Sequence, residues 1–333
     1  FSLCLIPLVT ASKITASRNF LYSAIRLSAT FLYGSTGEII TQKSGHLNLG
    51  VPGVMSVGAA VGCLTEYYVI KAVGTSAPIL LVLIPLLTTI IAGALMGCLY
   101  SFLTVTLKAN QNVTGLAMTT FGVGLAGHFI NKIKAKIAII ARASKYYRTV
   151  FPFADSLGAF GKLFFSYGIL VYLAIIIAIV AQVILNKTRV GLNLKAVGEN
   201  PATADAAGVN VTMYKYVATM IGCAISAIGG LFTIMDYMGG NWEYIIEGLG
   251  WLSIALVIFT LWRPVLSILG SIVFGGLYIV VNYVKGITFA QIELVKMIPY
   301  LVTVLVLIVT SIFDSKNAQP PASLGLNYFR EDR

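Results

Sequence analysis

Long apolar runs separated by short polar breaks occupy almost the whole chain. Runs near 20–40, 49–70, 77–105, 112–130, 166–186, 214–236, 248–261, 265–283 and 297–313 predict nine spanning or half-spanning segments after a short apolar start at 1–11. Several reach the ~20 residues a helix needs to cross a hydrocarbon core of ~30 Å. Backbone polar groups in lipid must be satisfied within the segment, and no period-two alternation marks barrel strands, so the runs predict helices. The 14-residue run 248–261 is short for a crossing and fits a broken or re-entrant helix. The expected fold is all-α: a single polytopic transmembrane helical bundle, 1–333, of about 8–10 spans.

One polar interruption is unlike the rest. Thr188 to Tyr216 reads TRVGLNLKAVGENPATADAAGVNVTMYKY, a compact segment of mixed charge between two apolar runs. Asn200-Pro201 starts a turn, and Pro201 suits the first helical position. Asp205 lies in the first turns, near the positive end of the helix dipole. Ala202, Ala204, Ala206 and Ala207 favour a short helix that Gly208 stops. A short helix outside the membrane is a candidate docking surface.

Composition narrows the class. Charged residues make up 11% of the 333 and mean hydropathy is +0.88, far from the roughly 25% charge of soluble domains. The net charge of +11 sits mainly in connecting loops, where membrane-surface electrostatics explains it without nucleic acid. Cys4, Cys63, Cys98 and Cys223 are dispersed and lack CxxC spacing, and His46 and His128 stand far apart, so no metal site is expected. No His/Glu or Ser/Lys constellation within a span suggests a catalytic residue. No GxxxxGK[ST] loop is present to cradle ATP phosphates. The opening FSLCLIPLVTA lacks the basic stretch and cleavage pattern of a secretory signal, and it begins without methionine, as a truncated chain would.

Small residues inside the spans predict close helix packing: Gly58 with Gly62, Gly93 with Gly97, and Gly222, Ser226 and Gly230 on one face. Four charges fall within or at the ends of apolar runs. Glu66 and Asp236 are expected at an interface; Arg26 and Glu38, twelve residues apart, cannot pair on one helix. Glu38, beside a Gly-rich turn, is the candidate for a functional role. Orientation signals conflict. The 131–162 loop holds seven Lys/Arg against one Asp, and the 187–215 loop holds four against Glu199 and Asp205. Charge alone would place 131–162 in the cytoplasm.

Two further motifs carry polar groups to helix starts. In TQKSGHLNLGVPGVMSVGAAVG, Thr41 to Gly62, a polar turn with Asn48 runs into a helix with Pro52 in its first turn; a plain tight connection and a substrate-lining segment fit equally. In TLKANQNVTGLAMTTFGVGLAGHF, Asn110, Gln111 and Asn112 precede a Thr/Gly-rich helix bearing Thr119, where Asn110 or Asn112 can cap.

Together SGHLNLGVPGVMSVGA, TLKANQNVTGLAMTTFG, GLNLKAVGENPATADAAGVNVTMYKY, EGLGWLSIALVIFTLWRP and LGSIVFGGLY resemble the permease subunits of ATP-binding-cassette importers, over about residues 28–285. The branch is the one serving ribose and other simple sugars, nucleosides and branched-chain amino acids, and the chain looks most like purine-nucleoside and simple-sugar permeases. Pro52 stands where an acidic residue is expected in many nucleoside members.

The resemblance implies a multi-pass, non-enzymatic transport subunit of the bacterial plasma membrane that moves a small polar solute by alternating access. It implies three protein partners: an ATP-binding subunit that holds ATP and Mg, a second permease subunit of different sequence, and an extracellular solute-binding lipoprotein. No cofactor is expected in this chain. Gly198, Glu199, Asn200, Pro201, Ala204 and Gly208 would couple to the ATPase within a cytoplasmic loop at about 187–215. About 131–165 would face outside and about 314–333 would form a cytoplasmic tail. Glu38, Asn48, Asn112 and Thr119 would line the translocation pathway. The alternatives are an ion-gradient-driven secondary transporter, which would need more intramembrane charge, or a permease for branched-chain amino acids.

Overall fold

Prolines and short polar caps set where the helices begin. The computed structural model describes residues 5–151, 154, 156, 158–243, 245–283, 291, 294–295, 297–312 and 319–329. Residues 1–4 of the apolar start, parts of the 131–165 loop, and 314–318 and 330–333 of the expected tail lie outside the described residues. Thirteen α-helices are described: α1 Leu5–Gln42, α2 Val51–Val73, α3 Pro78–Ser101, α4 Gln111–Ile133, α5 Ile137–Tyr147, α6 Gly158–Phe164, α7 Ile169–Lys187, α8 Arg189–Glu199, α9 Pro201–Ala206, α10 Val211–Phe232, α11 Ile246–Phe259, α12 Pro264–Ile279 and α13 Ile298–Ile312. Proline occupies the first turn of α2, α3, α9 and α12, where its missing N–H costs nothing. The side chains of Asn110, Thr188, Asn200 and Asn210 cap α4, α8, α9 and α10 by accepting from first-turn N–H groups.

The described architecture is a helical transmembrane bundle, as the apolar pattern predicts. Each of the nine expected segments corresponds to a helix, and the extra helices lie in the connections. Among the described residues, five helical stretches are long and apolar enough to cross a membrane: 51–73, 78–106, 111–147, 169–187 and 211–237. The 14 residues of α11 reach only about 21 Å at 1.5 Å per residue. The chain then reverses into α12 through Leu261 and Trp262, both at φ 53°. That left-handed backbone costs an L residue about 1–2 kcal/mol. Trp262 offsets it by burying its ring and donating from Nε1 to Gln42 Oε1 at 2.5 Å.

Helices α1, α2 and α10 form the centre: α10 packs on α1, α2 and α3, while α1 also meets α7, α11 and α12. In α2 and α10, 72% of the spanning window is buried, against 28% in α3 and 33% in α7, so the latter two are peripheral. On α3 the exposed Ile79, Leu83, Leu87, Ile91, Leu95 and Leu99 recur every four residues, one apolar stripe turned outward.

The small-residue runs pack within this chain. A Cβ on Gly58 would meet Ala227, one on Gly93 would meet Ala227 and the Cys223 carbonyl, and one on Gly230 would meet the Met55 carbonyl. Gly37 and Gly222 face each other so closely that a Cβ on either would strike the other's carbonyl oxygen. Lipid supplies little hydrophobic drive between helices, so such close approach is what holds the centre together.

The bundle has two distinct ends. At one, residues 319–329 run as a strap over the start of α4 and the ends of α8 and α9, joined by Ser323 N–H to Gly198 O at 3.0 Å and Gly325 N–H to Gly45 O at 3.2 Å. At the other, Arg26 and Arg148 converge on Asp236 where the helical run of α10 ends. Glu66 and Asp236, expected at an interface, are both buried within the bundle, at 0% and 1% exposure. Each is buried beside a partner: Tyr147 donates to Glu66 Oε2 at 3.0 Å, and Arg26 pairs with Asp236 Oδ1 at 2.9 Å.

Candidate functional site

At the strap end, the sequence Thr188–Tyr216 builds a bent, two-helix projection. Thr188 caps α8, and Asn200 ends α8 while its Oδ1 accepts from Thr203 N–H at 3.0 Å to open α9. One residue thus serves as terminator and cap, which is why the chain turns sharply there. Gly208, at φ +84°, closes α9 in a backbone conformation that glycine adopts without strain. Gly198 is equally constrained for another reason: a Cβ there would sit 2.3 Å from Lys43 O. The end of α8 therefore lies directly on the turn after α1.

The six residues expected to contact an ATPase divide into two sets. Glu199 and Asn200 are exposed, Pro201 is half-buried and Gly208 is exposed. Gly198 is buried, and Ala204 is 4% exposed and packs with Val197 and Val211. Ala204 therefore seats the projection on its own chain. The small outward face instead consists of Ala202, Thr203, Ala206 and Ala207.

The strap holds this projection through groups the sequence pattern did not reveal. Ser323 Oγ donates to Gly198 O at 2.5 Å, Ala322 N–H to Glu199 Oε2 at 3.3 Å, and Tyr328 OH to Asp205 Oδ2 at 2.8 Å. On the other side, Asn327 Nδ2 donates to Lys108 O at 2.7 Å, and Gln111 Nε2 to Leu326 O at 3.2 Å. Eleven consecutive described residues, 319–329, so connect the projection to the start of α4. The strap contains no apolar run, so hydrophobic patterning had no signal for it.

Beneath the strap lies a buried polar layer. Glu38 Oε1 accepts from Gln42 Nε2 at 2.8 Å and from Asn48 N–H at 3.1 Å, while its Oε2 is buried without a partner. Asn48 Oδ1 accepts from Gly50 N–H at 2.8 Å, and its Nδ2 donates to Cys223 Sγ at 3.3 Å. His46 is 0% exposed and bridges two helices, with Nδ1 2.8 Å from Thr219 Oγ1 and Nε2 2.8 Å from Thr104 Oγ1. A neutral imidazole donates from one nitrogen and accepts at the other. Both threonines also bond their own helix carbonyls, so one hydroxyl must turn toward the ring. His46 looked isolated in sequence because its partners come from distant helices.

The four expected pathway residues do not form one cluster. Glu38 and Asn48 meet directly. Thr119 is close by on α4, its Oγ1 donating to Leu49 O at 2.9 Å. Asn112 is exposed on the first turn of α4, and its N–H is held by Asn110 Oδ1 at 3.0 Å, which makes Asn110 the cap. Pro52 packs against α11, close enough that a Cβ on Gly250 would lie 2.5 Å from Pro52 Cα.

An interior of threonine, amide and small residues joined to a capped helical projection fits a multi-pass membrane protein. The family of branched-chain amino acid transport system permease components matches over residues 20–307, and the chain belongs to it. It is similar to the nucleoside ABC transporter permease protein NupC of Lactococcus lactis subsp. cremoris, 30% identical over 91% of this chain and 94% of that protein. It is 29% identical to the guanosine ABC transporter permease protein NupQ of Bacillus subtilis, over 84% of this chain and 88% of that one. A putative glucose ABC transporter permease protein, TsgC13 of Haloferax volcanii, is 29% identical over 77% and 74%. No solved structure matches. The chain is thus an ABC importer permease subunit, a membrane transport component and not an enzyme.

Proposed function

We propose that this chain forms, with a second permease subunit of different sequence, the membrane pathway for a nucleoside or simple sugar delivered by an extracellular binding lipoprotein. The supporting observation is similarity along nearly the full length of a nucleoside permease, NupC. The 187–215 segment faces the cytoplasm in this reading, and the face made by Ala202, Thr203, Ala206 and Ala207 seats in a groove of the ATP-binding subunit. Small side chains suit that task because they let two backbones approach with little side-chain entropy to lose. Glu199, Asn200 and Gly208 flank that face, while Gly198, Pro201 and Ala204 hold it in place.

ATP and Mg stay on the partner. Closure of the two ATPases favours one arrangement of the bundle through differential binding, and hydrolysis releases it. Glu38, Asn48 and Thr119 lie where α1, α2 and α4 meet, so a shift of the Gly198–Lys43 contact reaches them through one turn of chain. They would present hydrogen-bonding groups to a polar neutral solute, with Asn112 at the mouth.

The test is uptake by proteoliposomes holding this chain with its second permease, ATPase and binding lipoprotein. ATP-dependent accumulation of guanosine or ribose is expected, with loss of at least tenfold on Ala206→Arg at unchanged permease level. Uptake that survives ATP depletion and collapses with an ionophore would replace this reading with secondary transport.

A further inference from the structure

Two neighbouring cavities at the strap end share Leu185 and differ completely in chemistry. The first, about 320 Å3, is lined by Lys43, Lys195, Arg263, Gln182 and Asn186 beside the Leu261–Trp262 turn. The second, about 210 Å3, is an apolar groove between α7 and α10 whose wall includes Ile184, Val190, Met213, Val217 and Ile221. We propose that together they bind one anionic phospholipid, its phosphate among Lys43, Lys195 and Arg263 and one acyl chain along the α7–α10 groove.

The first cavity is built for an anion. Three cations from three separate parts of the chain converge on it, with Glu199 the acidic group that acts on Lys43. Lys195 Nζ is anchored on Asn186 Oδ1 at 2.5 Å. Among the described residues, the Lys43 and Arg263 side chains donate no hydrogen bond, and Gln182 Oε1 is buried without a partner. Burial, and then the neighbouring Lys195 and Arg263 charges, hold the Lys43 ammonium below the usual lysine range, with Glu199 opposing. A phosphodiester in the cavity relieves that repulsion and occupies unused donors. The location is right as well: Lys43 follows α1, Asn186 lies in the last turn of α7 and Arg263 precedes α12, all at the bundle boundary.

The groove separates a lipid from other anions. Free phosphate has no use for an apolar wall. A docked soluble protein would have to reach Ile221, ten residues into α10 and so about 15 Å beyond its start. Ile184, Val217 and Ile221 are 43%, 43% and 48% exposed, an apolar surface at membrane depth. An acyl chain fits that placement. The site does not depend on which solute the permease carries.

Native mass spectrometry of the purified full chain, with phosphatidylglycerol, phosphatidylcholine of the same acyl chains, or inorganic phosphate, decides the matter. Retained phosphatidylglycerol is expected, with little phosphatidylcholine and no protection by phosphate. Replacing Lys43→Gln, Lys195→Gln and Arg263→Gln together should weaken retention roughly a hundredfold, at about fivefold per charge. Equal retention of both lipids, displacement by millimolar phosphate, or an unaffected triple variant would overturn the proposal. A photoactivatable phosphatidylglycerol on the unaltered protein covers the case where the variant misfolds: its acyl label should map to 181–194 and 213–221, and labelling confined to the α3 stripe would refute the site.

Discussion

The two ends of the bundle are held by different kinds of bond. At the arginine end, Asp236 accepts from Arg26 Nε at 2.9 Å, and the Asp236 and Tyr237 carbonyls accept from Arg148 at 2.6 and 3.1 Å. Two guanidiniums thus complete the carbonyls left open where the α10 run ends, the negative end of its dipole. At the strap end most ties are neutral: the Asn and Thr caps, Ser323 on Gly198, Gly325 on Gly45 and Asn327 on Lys108. A neutral bond contributes about 0.5–1.5 kcal/mol net, and near an exposed surface the separated groups can turn to water. A buried charge left alone has no such recourse. One end is therefore fixed, and the other can exchange contacts at modest cost, as the proposed coupling to an ATPase requires.

The largest effect should come from removing charge at the fixed end. Arg26→Leu leaves the buried Asp236 carboxylate without its hydrogen bond and ion pair, while Arg148, which donates to the Asp236 carbonyl, stays nearby. Breaking such a pair costs about 3–5 kcal/mol, and the lower part of that range applies because Arg148 remains. Thermal unfolding in detergent should show a clear drop in Tm. The double variant Arg26→Leu, Asp236→Leu should recover more than half of it. A single variant as stable as the parent would mean that the arginine end is no clamp.

A middle-sized effect is expected where the projection seats on its own chain. Ala204 is enclosed by Val197 and Val211, so Ala204→Phe overpacks that cluster by about 1–3 kcal/mol. The loss should be local. Limited proteolysis should cleave between 199 and 210 sooner than in the parent, while global Tm changes little and uptake falls severalfold. If Tm instead falls as far as in Arg26→Leu, the two ends are equally rigid and the contrast between them disappears.

Legibility in the sequence followed the same division. Apolar runs, Pro201, Ala202–Ala207 and Gly208 are local signals, and they gave the spans and α9 directly. The burial and partners of Glu66 and Asp236 were not legible, because position in a run says nothing about a tyrosine or arginine 81 or 210 residues away. His46 and the strap were invisible for the same reason. Charge counting by single loops is incomplete: Lys43, Lys108 and Arg263, from separate connections, and Lys215 in the first turns of α10 join Lys187, Arg189 and Lys195 near the strap end. The basic residues of 131–148 therefore do not mark one end as uniquely positive, and both ends carry clustered cations.

The smallest and most selective test concerns two asparagines two residues apart at the start of α4. Asn110 Oδ1 accepts from the N–H groups of Asn112 and Val113 at 3.0 and 3.1 Å, so Asn110→Ala removes a cap worth about 1 kcal/mol. Asn112 is exposed, and only its backbone takes part in that cap. Asn112→Ala should leave Tm within error and, if the residue lies at the mouth of the pathway, raise the half-saturating solute concentration for uptake. Asn110→Ala should do the reverse: a small fall in Tm with an unchanged half-saturation. The cap also positions Gln111, which holds Leu47 N–H at 2.8 Å and the strap at Leu326, so the destabilised variant should exchange amide hydrogens faster at 321–328. Faster exchange at 146–150 instead would mean that the strap end is not where this cap is felt.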